Sequence, residues 1–223
     1  MMSYIKSSIY LALLTVLGGL NAYKGAGILP YAQGPDGHTY FLLGLSRVHH
    51  DHASDFGGLR DAADGFNPLV TAAREASEEL MFLFDSDQQF EQLIQDRDLF
   101  GADSPIDHSH TYSYLYNRMC ELSPCPSVEY HGYTMYFMPI DYRADLPELL
   151  ERRKALYGHR LTSCWNETTR LVWVPAESLL SAVSGSVDHS LPVAYGSITL
   201  YRYFAASLYR AHHWHLVPEL SIA

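Results

Sequence analysis

Gly57-Gly58-Leu59-Arg60, followed after a short loop by Arg74-Glu75-Ala76-Ser77-Glu78-Glu79, is the stretch on which the fold turns. The second half is helical in pattern. Leu69, Ala72, Ala73, Ala76 and Leu80 fall on one side, small and apolar enough to pack closely on a sheet. Asn67-Pro68 ahead of them combines an N-cap residue with proline at the first helical position. The pattern predicts a helix from Asn67 to about Phe82. On its other side Glu75, Glu78 and Glu79 stand at i, i+3 and i+4, inside an arc of about 100°. Three carboxylates packed that closely repel one another unless something positive lies among them. A hard divalent cation such as Mg²⁺, which takes oxygen ligands, is the obvious candidate.

Working outward, residues 25–32 and 39–46 read as two strands joined through the turn Gly34-Pro35-Asp36-Gly37. Residues 48–54 read as a polar, histidine-rich loop. Residues 90–94 suggest a short helix, 112–116 and 130–140 suggest strands, and 146–157 a helix. Residues 170–174 read as a strand, Pro175-Ala176-Glu177 opens a helix to about Val183, and 198–214 read as one long amphipathic helix. Strands and helices alternate irregularly, which predicts an α/β fold: a mixed sheet covered by helices on both sides.

In this order the residues resemble the Nudix family. Gly58 and Arg74-Glu75-Ala76-Ser77-Glu78-Glu79 are similar to the box G-x5-E-x7-R-E-U-x-E-E-x-G-U, where U is aliphatic. Gly25-Ala26-Gly27-Ile28-Leu29-Pro30, Phe41-Leu42-Leu43-Gly44 and Asp55-Phe56-Gly57-Gly58 resemble the strand, strand and loop ahead of that box. Leu171-Val172-Trp173-Val174-Pro175 resembles the strand that often ends the sheet. The resemblance covers residues 24–183 and implies a Nudix-like α/β/α sandwich with a mixed β-sheet. Three departures stand out. The spacing from Gly58 to Arg74 is two residues longer than the pattern, the loop glutamate aligns best with Phe66, and Met81 replaces the late glycine. Phe66 cannot support the loop and the motif arginine as a glutamate does; Asp61 and Asp64 are the candidates to substitute.

The resemblance implies a hydrolase that cleaves the diphosphate linkage of a nucleoside diphosphate derivative, such as a nucleotide sugar, ADP-ribose or a dinucleotide, with Mg²⁺ or Mn²⁺. It implies Glu75, Glu78 and Glu79 as metal ligands, with a further oxygen from the carbonyl of Gly57 or Gly58. Arg74 would orient a glutamate through a charge-assisted hydrogen bond. A general base is needed as well, and Glu79 or Glu75 on the helix and Glu167 on a later loop are the candidates. Arg60, just past the Gly-Gly turn, is placed to meet a phosphate, with a surface salt bridge as the plainer alternative. Two other functions stay open: a nucleotide-binding sensor that has lost turnover, motivated by Phe66 and Met81, and an mRNA-decapping type of Nudix enzyme.

The bulk properties narrow these options. The 223 residues suit one domain with a proper core. The net charge of −10 argues against a broad electrostatic grip on long nucleic acid. With 12 Arg against 3 Lys, the basic side chains favour bidentate phosphate contacts. Residues 1–22 run from a short basic start through an apolar middle to small residues, the order of a secretory signal peptide, with an N-terminal helix packed on the core as the alternative. Residues 23–223 would then form the Nudix-like domain, exported if that segment is cleaved and cytoplasmic if it is not, with no stable membrane span. Cys120 and Cys125 could pair in an oxidising compartment. His49-His50-Asp51-His52 could bind metal or phosphate but is more simply a solvated loop, and His212, His213 and His215 read as structural. Tyr112, Tyr114 and Tyr116 would share one face of their strand. Nothing in the sequence sets the oligomeric state.

Overall fold

A computed structural model describes residues 24–100, 109–161, 164–185, 189–193 and 196–217. The expectations for residues 1–22 lie outside them. The architecture is α/β, with a mixed seven-stranded sheet between two layers of helices. In chain order the elements are β1 (Gly25–Gln33), β2 (Thr39–Ser46), β3 (His52–Ser54), β4 (Phe56–Leu59), α1 (Pro68–Glu79), α2 (Asp87–Phe100), α3 (His110–Glu121), β5 (Ser127–Tyr130), β6 (Tyr133–Pro139), α4 (Leu146–Tyr157), β7 (Thr168–Pro175), α5 (Ala176–Gly185), β8 (Ser190–Val193), β9 (Gly196–Thr199) and α6 (Arg202–His213). Among the described residues no helix is long and apolar enough to cross a membrane.

The central feature of the sheet is a fork. β1 and β2 pair only from Tyr31↔Phe41 to Gln33↔Thr39. Beyond that pairing the segment from His52 to Leu59 fills the gap between them, β3 bonding to β2 and β4 bonding to β1. Asp55 is the residue at which the chain passes from one partner to the other. β6 lies parallel to β1 on its far edge, with Gly25 opposite Tyr133, and β7 lies antiparallel to β2.

Side chains alternate across the strands, as a two-residue period requires. Ala26, Ile28, Leu42, Phe56, Tyr136 and Met138 face α1 to α4. Leu29, Phe41, Leu43, Met135 and Phe137 face α5 and α6. Each fully buried Leu, Ile or Phe contributes about 1.5–3 kcal/mol. Both faces are covered, so the strands read as nearly continuous apolar runs. On α1, Asn67 Oδ1 accepts from the Leu69 amide at 3.1 Å, and Pro68 follows as expected. Ala72, Ala73 and Ala76 are fully buried, which lets the helix lie close to β1 and β4.

Several elements differ from the sequence expectation. Tyr112, Tyr114 and Tyr116 belong to α3, whose N-cap Ser109 accepts from the Tyr112 amide at 3.1 Å. On the helix Tyr112 and Tyr116 are one turn apart and stack at 5.9 Å, while Tyr114 packs on Phe84. Tyrosines at alternate positions imitate a strand, and the capping serine ahead of them wins. Tyr130 ends β5, and His131 and Gly132, with φ of 53° and 82°, turn the chain into β6. Ile198 lies in β9, so the last helix begins only at Arg202. The helix expected at 90–94 is part of the 14-residue α2, and His52 to Ser54 form β3 rather than loop. Cys120 and Cys125 are both free thiols.

Candidate active site

Three pieces of chain build the site: the end of β4 with Gly57 and Gly58, the loop from Leu59 to Asn67, and the polar side of α1. Gly57 stands opposite Gly27 of β1. A Cβ at either position would overlap the hydroxyl of Tyr133, which reaches in from the start of β6 and donates to Asp55 Oδ2 at 2.7 Å. The two glycines therefore make the notch that this phenol fills. Burial pushes the Asp55 carboxyl up to about 6, against the pull of the Tyr133 bond. Burial likewise raises the Tyr133 phenol well above its ordinary value, and the negative charges of Asp55, Glu79 and Glu75 add to the effect.

The amide of Gly57 donates to Glu79 Oε2 at 3.0 Å, tying the strand to the helix. Gly58 has no room for a side chain either. A Cβ there would meet the Glu75 carboxylate, with Oε2 at 2.5 Å and Cδ at 2.6 Å. Burial raises the Glu79 carboxyl well above the usual range, and the charges of Glu75, Asp55 and Glu167 raise it further. Glu75 is raised for the same first reason, opposed by Arg74 and reinforced by Asp64 and Glu167. Burial also raises Glu167, on the loop that leads into β7. The charge of Glu167, on a distant loop, thus bears on both Glu75 and Glu79 of the helix.

Arg74 is the organising cation. Its Nε donates to Asp64 Oδ1 and its Nη2 to Asp64 Oδ2, both at 2.8 Å. Nη2 also reaches the Leu59 carbonyl at 3.0 Å and Glu75 Oε1 at 2.9 Å, and Nη1 lies 3.7 Å from Glu78 Oε2. Asp64 is buried and further accepts from the Asp61 amide at 2.8 Å and the Thr71 hydroxyl at 2.7 Å. Burial pulls its carboxyl upward, yet these bonds hold it below the usual carboxylate range. Asp64 therefore takes the supporting position that the motif assigns to a loop glutamate, two residues before Phe66. Phe66 itself points outward beneath the Arg60 guanidinium, which lies 4.7 Å from its ring centroid.

The positive group among the helix carboxylates is thus Arg74, which meets Glu75 and Glu78 but not Glu79. Among the described residues no three His, Cys, Asp or Glu side chains converge as a ready-made metal cage. The donor set still fits a hard cation. Mg²⁺ is commonly held by one or two carboxylates together with water and substrate phosphates. Carboxylates held above their ordinary pKa by burial and mutual repulsion are groups that such an ion would stabilise in their charged form.

Met81 occupies the place of the motif's late glycine and keeps its backbone. It has φ of 47°, its amide bonds to the Glu78 carbonyl at 2.9 Å, and the Phe82 amide bonds to the Ser77 carbonyl at 2.9 Å. That pair of bonds is the Schellman closure normally made with glycine. The strain is held by burial of both side chains and by Arg153, a fully buried guanidinium whose Nη1 donates to the Met81 and Phe82 carbonyls at 2.9 and 2.5 Å. The histidine-rich loop is tied down elsewhere: His49 stacks on Tyr201 at 3.9 Å, and Asp51 accepts from the Thr169 hydroxyl at 3.0 Å. His212, His213 and His215 are exposed at the end of α6 and beyond it.

The motif and its framework are Nudix-like. No protein-family model and no curated protein matches the chain. Among solved structures it is similar to RenU, a Nudix hydrolase from M. smegmatis, at 15% identity over 91% of this chain and 92% of that one, with a TM-score of 0.39. It is also similar to a C. elegans Ap4A hydrolase in a binary complex, at 16% identity over 69% of this chain and 80% of that one, with a TM-score of 0.34. Likenesses this distant add no argument about the chemistry, which rests on the residues above.

Proposed function

We propose that this chain is a divalent-metal-dependent hydrolase that cleaves the diphosphate linkage of a nucleoside diphosphate derivative. The observation that carries the reading is Glu75 and Glu79 set against the Gly57-Gly58 backbone, with Arg74 fixed by Asp64. Glu75, Glu78 and Glu79, with the carbonyl of Gly57 or Gly58, would hold Mg²⁺ or Mn²⁺. The ion would supply Lewis-acid polarisation of the phosphoryl oxygens and orient the diphosphate. Arg74 steers Glu75 and Glu78, and Arg60 meets the phosphate charge from the loop. Glu167 takes the proton from the attacking water; burial has raised its carboxyl toward the range where a general base works best. The water oxygen forms a bond to one phosphorus, the bridging P–O bond breaks, and the departing phosphate carries the electron pair.

A panel of nucleoside diphosphate derivatives, incubated with Mg²⁺ and with Mn²⁺, tests this. Glu79→Gln and Glu167→Gln are expected to lose at least about 100-fold in rate. Unchanged rates in both variants would discard the mechanism. One observation favours a second reading, a nucleotide sensor without turnover: Arg74 already holds Glu75 at 2.9 Å. Thermal stabilisation by nucleotides across that panel, with no product formed by the wild type, would select the sensor.

A further inference from the structure

We infer that Phe66 is the base-stacking platform of this site, backed by Arg60. The inference rests on the diphosphate-cleaving reading and adds which part of the substrate is recognised and by what. Phe66 is 71% exposed, so its ring is open to a ligand from solvent. The loop that carries it is tied by hydrogen bonds of its own. The Ala63 amide bonds to Asp61 Oδ1 at 2.9 Å, the Asp61 amide to Asp64 Oδ2 at 2.8 Å, and Gly65 turns the chain with φ of 63°. Asn67, the next residue, is fixed as the cap of α1.

One face of the ring is covered by the Arg60 guanidinium at 4.7 Å, leaving the other for a second flat group. A cation on one face of an aromatic ring and a nucleobase on the other is a favourable stack, and every base offers a π-face. The platform is joined directly to the chemistry. The Leu59 carbonyl, one residue before Arg60, is held by the same Arg74 nitrogen that holds Glu75. Asp64, two residues before Phe66, accepts from Arg74 Nε and from that same Nη2. The Phe66 loop and the Gly58–Glu75 side of the site are thus joined through Leu59, Asp64 and Arg74. The residue that breaks the motif as a loop glutamate is the one that recognises the nucleoside.

Calorimetric titration of the full chain in Mg²⁺ tests this with two non-hydrolysable probes: α,β-methylene-ADP, and methylenediphosphonate as the base-free control. Phe66→Ala is expected to weaken α,β-methylene-ADP by about 10-fold or more, with Phe66→Trp restoring it. Methylenediphosphonate is expected to bind wild type and Phe66→Ala within about 2-fold, since it makes no stack. Equal affinity of wild type and Phe66→Ala for α,β-methylene-ADP would overturn the platform, as would an equal loss of both probes in the variant. A wild type that binds neither probe would overturn the diphosphate site along with it, whereas loss of the difference between probes overturns the platform alone.

Discussion

Asp64 and Arg74 meet through two parallel hydrogen bonds, both 2.8 Å, across ten residues of sequence. This fork geometry is among the strongest polar contacts available to side chains. Its consequence is that Arg74 has one orientation. With Nε and part of Nη2 committed to Asp64, the remaining donors are aimed at the Leu59 carbonyl, Glu75 and Glu78. The loop, the strand end and the helix are locked together by one guanidinium, so the two extra loop residues are accommodated without loosening the glutamates.

Asp64→Ala removes that lock and leaves a largely buried cation with fewer partners. Breaking a buried pair in this way costs about 3–5 kcal/mol. Because the lock also orients Glu75, the hydrolytic rate is expected to fall about 10- to 100-fold in any molecules that remain folded. Urea denaturation and turnover with the best substrate of the panel check both parts. A stability loss below about 1 kcal/mol would show that Arg74 finds its place without Asp64.

Gly58→Ala separates activity from stability. The three atoms nearest the added Cβ would be the carboxylate end of Glu75, at 2.5 to 2.8 Å, and that end can swing away. The fold is expected to lose about 1 kcal/mol or less, as for a substitution that spares the core. The rate is expected to fall about 100-fold, since a small misplacement of a reacting group has that cost. Equal damage to melting temperature and rate would instead make Gly58 a purely structural glycine.

Met81 is in a left-handed conformation with a fully buried side chain, so two opposing terms can be measured apart. Met81→Ala keeps the strained backbone and loses the packing, a cost of about 2–5 kcal/mol. Met81→Gly loses the same packing but relieves about 1–2 kcal/mol of left-handed strain. The glycine variant is therefore expected to be the more stable of the two, by about 1 kcal/mol. An alanine variant as stable as the glycine variant would mean that the turn at the end of α1 relaxes out of the left-handed region.

The α1 signals were legible because they are local: Asn67-Pro68 caps the start, and the alternation of alanines with glutamates fixes which side is buried. The two strands of the fork were legible as apolar runs. Their splaying was not, because it depends on where residues 52–59 insert between them, a contact set by the whole sheet. The choice of Asp64 over Asp61 was legible from one end of the box alone: G-x5-E counted from Gly58 lands on Asp64, whereas counting back from Arg74 lands on Phe66. Asp64 is selected by its reach to Thr71 and Arg74, whereas Asp61 accepts from the Ala63 amide at 2.9 Å. Tyr133 carried no local mark at all: Gly27, Gly57 and Asp55 define its position from two other strands. The Gly-Ala-Gly of β1 was the one available hint that something must fit against that strand.

The Asp55–Tyr133 pair gives a pH dependence with a definite sign. Burial raises the Asp55 carboxyl from 3.8 to about 6 in the folded protein. The fold therefore binds the proton more tightly than the unfolded chain does. The resulting stabilisation is complete below the unfolded value and is lost as pH rises from there through about 6. A displacement of that size corresponds to a loss of about 3 kcal/mol by pH 8 in the absence of a divalent cation. Asp55→Asn keeps an acceptor for the Tyr133 hydroxyl and never ionises. Relative to wild type, its stability is expected to rise by about 2 kcal/mol between pH 4.5 and pH 8 in metal-free urea titrations, the remaining part of the loss having occurred below pH 4.5. The same difference between the two proteins at both pH values would mean that Asp55 is not the group that titrates. Mg²⁺ at pH 8 should shrink the advantage of the variant, because a cation near Glu79 offsets the buried charge that the substitution removes.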